Sequence, residues 1–136
     1  MTSSKELVSV LLSTYNSEKT IEESLFSILN QTYKDLEILI IDDGSTDNTK
    51  EICKKFQLND ERILLFSNKK NIGLTKSLNS LAQKASGSLI ARQDADDVSL
   101  PERIEKQIKF MNRRKLDAVT TRSLVKKNNK KRPGIS

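Results

Sequence analysis

Apolar runs alternate with helix-period segments along this chain, and that alternation narrows the fold to one class. Leu7 to Leu12 reads as a buried strand. Ile21, Leu25, Ile28 and Leu29 then recur at helical spacing, which predicts an amphipathic helix over about Glu18 to Asn30. Ile38 to Ile41 is a second strand, followed by a helix whose apolar face carries Ile52, Cys53 and Phe56. Ser45-Thr46-Asp47 supplies the polar cap of that helix. Ile63 to Phe66 is a third strand. Leu74, Leu78, Leu81, Ala82 and Ala85 form a third helical stripe, stopped by Gly87. Leu89 to Ala91 is the fourth strand, and Ala118 to Thr121 reads as a fifth. Between these two, Pro101 suits a first helical position, with Ile104, Ile108 and Met111 facing inward. Strands that are continuous apolar runs belong in a sheet covered on both faces. The βαβα order therefore implies an α/β fold with a mostly parallel sheet and helices on both sides.

The chain has 136 residues, enough for one domain and a real core. It contains no apolar stretch long enough to span a membrane, and Met1 to Glu6 lacks a signal-peptide core. Its single Cys53 excludes an internal disulfide and fits a reducing compartment. It contains no His, so no imidazole mechanism operates within these residues. Acid–base work falls to carboxylates, Lys, Tyr or bound water. The formal charge of +6 is concentrated in Lys126, Lys127, Lys130, Lys131 and Arg132. Such a tail either binds an anionic polymer or membrane surface or is simply a solvated end. The division expected is a lead over 1–5, one domain over 6–124 and a basic, disordered tail over 125–136.

Ligands on parallel sheets bind beyond the C-terminal ends of the strands. Three polar clusters occupy those ends: Ser13-Thr14-Tyr15-Asn16, Asp42-Asp43-Gly44-Ser45 and Asp94-Ala95-Asp96-Asp97. The last puts three carboxylates into four residues. Like charges ~4 Å apart repel by about 1 kcal/mol in water and about 4 kcal/mol at an effective dielectric near 20. Such crowding calls for a cation between the carboxylates, or for side chains splayed into solvent as in an ordinary acidic turn. On an extended backbone, residues two apart share a face, so Asp94 and Asp96 converge while Asp97 points elsewhere or turns the chain. An all-oxygen, hard ligand set suits Mg²⁺ or Mn²⁺. No Gly-x-Gly-x-x-Gly follows the first strand and no phosphate-binding Gly-x-x-x-x-Gly-Lys loop occurs. The run Asp42 to Asn48 lacks the sixth-position Gly and the closing Glu of a calcium loop.

Five motifs in order resemble family 2 glycosyltransferases. They are Val8 to Asn16, Ser27 to Tyr33, Glu37 through the Asp42-to-Asp47 turn, Asn71 to Asn79, and Ala91 to Asp97 with its D-x-D element. Pro101-x-Arg103 follows at the usual distance, and the resemblance covers about residues 6–122. It implies a Rossmann-like GT-A nucleotide-diphospho-sugar-binding fold, a nucleotide-sugar donor (a UDP-sugar first) and Mn²⁺ or Mg²⁺. It places Ser13, Thr14 and Tyr15 beside the nucleotide. Asp43 becomes an acceptor for the base, with Asp42 anchoring the turn. Asp94 and Ala95 fall at the donor, and Asp94 and Asp96 at the metal. Lys76 is the nearest basic candidate for a phosphate contact, while Arg92 offsets the acidic cluster. The implied reaction is inverting transfer to an acceptor hydroxyl of a glycan or lipid-linked carrier, in polysaccharide or surface-glycan synthesis. The implied setting is cytoplasmic, at the inner face of the membrane.

Family members continue well beyond the D-x-D segment, where they carry the acceptor site and the general base. Asp117 is the only carboxylate after Glu105 and is not assigned that role. The chain is thus expected to be the donor-binding half of such an enzyme: a fragment, a truncated product or part of a split protein. An uncovered sheet edge then predicts self-association or a C-terminal partner. The competing readings are a nucleotide-binding remnant that transfers nothing and a basic nucleic-acid-binding module; no nucleic-acid partner is expected.

Overall fold

The computed structural model describes residues 6–120, 124–127 and 130–133. Four strands form one parallel sheet: β1 (Val8–Thr14), β2 (Leu36–Asp43), β3 (Ile63–Asn68) and β4 (Leu89–Arg92). Helices α1 (Ile21–Leu29), α2 (Thr49–Asn59) and α3 (Leu74–Lys84) connect them in turn, and α4 (Arg103–Arg114) follows β4. The strand order is β3-β2-β1-β4. The chain therefore walks one way from β1 to β3, then returns to the other side of β1. That reversal puts a crevice at the C-terminal end of β1, the usual seat of a ligand on an open α/β sheet.

Side-chain alternation divides the core between the two faces. Val8, Val10 and Leu12 join Ile38 and Ile40 under Ile21, Leu25 and Ile28 of α1, Cys53 of α2 and Ile104 of α4. Leu11, Leu39 and Ile41 point the other way and pack on Leu81, with Leu78 and Phe66 alongside. Helices thus cover both faces, as the apolar strands require. Cys53 is fully buried, and desolvation, followed by the nearby Asp42 charge, pushes its thiol up to about 12.

The strands of the sheet differ in how far they run together. β1 pairs with β2 over seven positions, from Val8 with Leu36 to Thr14 with Asp42. It pairs with β4 over only four, from Val8 with Leu89 to Leu11 with Arg92. The Gln93 N–H still reaches the Leu11 carbonyl at 3.1 Å, and there the contact between the two strands ends.

Four features depart from the sequence reading. Helix α1 begins at Ile21, because the Thr20 and Ile21 amides both donate to the Ser17 carbonyl in a preceding turn. Pro101 lies in the turn before α4, where its carbonyl accepts from Thr32 N–H at 2.8 Å. Residues 118–120 form no strand, and Thr121 lies outside the described residues. Within the basic tail, expected as a disordered end, β5 (Leu124–Lys127) and β6 (Lys130–Pro133) pair antiparallel. The other tail residues lie outside the described set, as does the lead over 1–5.

Candidate donor and metal site

The three polar clusters meet at the C-terminal edge of the sheet. A cleft of about 600 Å³ opens there. One wall is the end of β1 and the segment after it, including Ser13, Asn16 and Lys19; the other is Asp94, Ala95 and Asp96. Asp47 and Leu74 complete the rim.

The loops after β1 and β2 brace each other beside the cleft. Asn16, at φ 47°, accepts from the Thr46 amide at 2.8 Å and gives its own amide to Ser45 Oγ at 2.9 Å. Ser17 N–H donates to Thr49 Oγ1 at 2.8 Å, and Asn48 N–H to Glu18 Oε2 at 3.1 Å. Asp47 accepts from Thr49 N–H and Oγ1; these bonds outweigh desolvation and hold its carboxyl below the ordinary aspartate range.

The aspartate segment is a turn rather than an extended strand end. The Asp97 amide donates back to the Asp94 carbonyl at 3.1 Å. Of the two alternatives for Asp97, it turns the chain, and reversal at Ala95-Asp96 brings it back toward its neighbours, so the extended-strand alternation does not hold through this segment. Oxygens of Asp94, Asp96 and Asp97 all lie within 4.8 Å of one another. Desolvation and then the charges of Asp94 and Asp96 push the Asp97 carboxyl above its ordinary range. Ala95 is buried and packs into the α1-side core. Arg92 Nε donates to Asp94 Oδ1 at 3.0 Å, a half-exposed pair of small energetic weight. Three hard oxygen donors with two of the carboxylates exposed fit a Mg²⁺ or Mn²⁺ ion that retains part of its water shell.

Among the other residues named from sequence, Ser13 lines the cleft and Tyr15 stands half exposed at the same strand end. The Thr14 side chain is buried instead, and its Oγ1 has no protein partner; neither does Asp42 Oδ1, its register neighbour on β2. Asp42 Oδ2 accepts from Ser45 N–H at 3.3 Å and so anchors the turn. Asp43 is buried and already engaged: Oδ1 accepts from Asn68 Nδ2 at 2.9 Å and Ile72 N–H at 2.8 Å, and Oδ2 from Gly73 N–H at 3.0 Å. Lys76 is exposed on the first turn of α3 and does not line the cleft. Lys19 does, and sequence reasoning missed it because a lysine in a loop carries no motif.

The Asp43 clamp predicts a pH effect. Burial alone would raise this carboxyl, but the Ile72, Asn68, Gly73 and Ser77 donors together hold it below its ordinary value. A lowered folded-state value adds stability above the unfolded value of about 3.9, and that stability is lost as pH falls through the lowered value. Asp43→Asn turns a donor toward the loop amides and should cost about 1–3 kcal/mol at neutral pH. Urea melts from pH 3 to 7 should show a smaller acid-side loss in the variant than in the wild type; parallel pH curves would refute the clamp's contribution.

Comparison with known proteins agrees with this geometry. The family model described as glycosyl transferase family 2 matches residues 9–135. The chain belongs to that family. It is 47% identical over 107 residues to the putative glycosyltransferase EpsE of Bacillus subtilis, covering 78% of this chain and 38% of that protein. It is 40% identical over 105 residues to WfgD of Escherichia coli, a UDP-Glc:α-D-GlcNAc-diphosphoundecaprenol β-1,3-glucosyltransferase, covering 77% and 41%. Among solved structures it resembles the mannosyltransferase PcManGT of Pyrobaculum calidifontis, in complex with GDP-Man and Mn²⁺. The TM-score is 0.74 at 26% identity, over 79% of this chain and 33% of that one. It also resembles residues 1–349 of S. aureus TarS in complex with UDP-GlcNAc, with TM-score 0.72 at 30% identity, over 79% and 31%. This family member thus has the Rossmann-like GT-A fold. The chain spans less than half the length of each of these relatives.

Proposed function

We propose that this chain is the donor-binding portion of a metal-dependent, inverting glycosyltransferase acting in polysaccharide or surface-glycan synthesis. The observation that carries the reading is the cluster of Asp94, Asp96 and Asp97 oxygens beside the cleft at the sheet's topological reversal. Asp94 and Asp96, joined by Asp97, would hold Mn²⁺ or Mg²⁺, which as a Lewis acid supplies charge neutralisation for a departing nucleoside diphosphate.

The chain's own groups complete the donor seat over residues 6–124. Ser13 offers a hydroxyl on the cleft wall, and Tyr15 offers a ring face to a base at the strand end. Asp43 serves the base site from behind, by fixing the Ile72 and Gly73 backbone. Lys19 stands on the cleft wall and replaces Lys76 as the cation for a phosphate oxygen. Transfer with inversion also needs a carboxylate within reach of the acceptor hydroxyl. Glu18 and Asp47 line the cleft but are bonded to the Asn48 amide and to Thr49, so neither is assigned that role. The base and the acceptor site are assigned to the part of the longer relatives that this chain does not match.

WfgD acts on a diphosphoundecaprenol-linked sugar. A lipid-linked acceptor for this chain places it against the cytoplasmic membrane face. No helix among the described residues is long and apolar enough to cross a membrane. Calorimetric titration with UDP and with GDP, each with and without Mn²⁺, tests the donor reading. Binding of one of them should tighten at least roughly tenfold with Mn²⁺, equivalent to about 1.4 kcal/mol. If neither binds more tightly with the metal, the reading fails.

A further inference from the structure

The aspartate turn is held from beneath by side chains that never reach the cleft. Three backbone carbonyls in and just before the turn each accept from a side chain. Arg103 Nη2 donates to the Arg92 carbonyl at 2.9 Å, Ser24 Oγ to the Asp94 carbonyl at 3.0 Å, and Gln93 Nε2 to the Asp97 carbonyl at 2.8 Å. Gln93 joins the three. Its Nε2 also donates to Ser24 Oγ at 3.0 Å, while its Oε1 accepts from Ser99 Oγ at 2.7 Å and from Arg103 Nη1 at 3.0 Å. Both amide hydrogens and both oxygen lone pairs are thus occupied in a side chain only 2% exposed. The amide has one workable orientation, because a flip would turn its NH₂ toward the Arg103 guanidinium.

The purpose of so much buried hydrogen bonding is legible in the charges it supports. Three carboxylates whose oxygens lie within 4.8 Å repel one another and would spread if the backbone gave way. We infer that Gln93 is a positioning residue that holds the aspartate turn in its cation-receiving shape, through Ser24 on α1 and Arg103 on α4. It touches neither ion nor donor. The inference rests on the metal reading above and goes further, by assigning metal affinity to a buried amide outside the ligand set. The groups behind a metal's ligands commonly set affinity by about 10–100-fold.

Gln93→Met keeps length and volume but removes every hydrogen bond of the amide. The test is a Mn²⁺ titration of the full chain, followed by the electron paramagnetic resonance of free Mn²⁺, at a temperature where far-UV circular dichroism shows the variant folded. The expected result is Mn²⁺ affinity weaker by roughly 10–100-fold. Packing damage alone would lower the melting temperature and leave the folded protein's Mn²⁺ affinity unchanged. If Gln93→Met does not fold, Ser24→Ala removes one hydroxyl and the Asp94 carbonyl's side-chain donor, and should weaken Mn²⁺ in the same direction. A folded variant of either kind that binds Mn²⁺ within twofold of wild type overturns the inference alone. A wild-type chain that takes up no Mn²⁺ overturns the donor-site reading and this inference with it.

Discussion

Asp96→Asn is expected to abolish the Mn²⁺-dependent part of nucleoside diphosphate binding while leaving the fold intact. Asp96 is exposed, lines the cleft and lies on the turn itself, so its side chain supports no packing. An amide in its place keeps the shape and removes a charge. Changes to groups merely behind a metal's ligands cost about 10–100-fold in affinity, so losing a ligand charge should cost at least the upper end of that range. Melting temperature should hold or rise slightly, because like-charge repulsion within the turn is relieved. The check is paired: a thermal melt, and UDP or GDP titrations with Mn²⁺ and with chelator. Asp96→Asn retaining the wild-type metal dependence would remove Asp96 from the ligand set.

Gly44→Ala should have the largest effect on stability. Gly44 sits at φ 77°, where a side chain costs roughly 1–2 kcal/mol. The new Cβ would also stand 2.7 Å from Asn71 N and 2.7 Å from the Lys70 carbonyl carbon. Those are backbone atoms and cannot rotate away. Overpacking of this kind adds about 1–3 kcal/mol, for a total near 2–5 kcal/mol. The damage is local to function as well. Asp43, one residue earlier, grips Ile72 and Gly73 just beyond Asn71, so pushing the two loops apart breaks that grip. Urea denaturation should show the full loss, and a midpoint matching wild type would mean that the loops separate freely.

The strands and the two-sided covering were legible because burial on both faces leaves uninterrupted apolar runs, as in Ile38 to Ile41. The helices were legible from the spacing of Ile21, Leu25 and Ile28. Sequence showed neither that β4 returns beside β1 nor how far the two pair, because strand order has no local signal. The ladder's early end and the Ala95-Asp96 turn decide which carboxylates gather, so the extended-chain rule left Asp97 out. Asp43 showed the reverse limit. A motif marks a residue as important without saying what it touches, and here its partners are Asn68, Ile72 and Gly73. Gln93 stood unnoticed between more conspicuous neighbours, since its value lies in partners on α1, on α4 and in the turn between, which no local motif announces.

Because β1 outruns β4 by three residues, Ser13 stands past the end of the β1–β4 ladder, on the cleft wall opposite Asp94-Ala95-Asp96. The cleft opens where that ladder stops, so its width depends on how far β4 runs as well as on the side chains along its walls. Lengthening β4 by two residues in register would plug it, however well the aspartates were preserved.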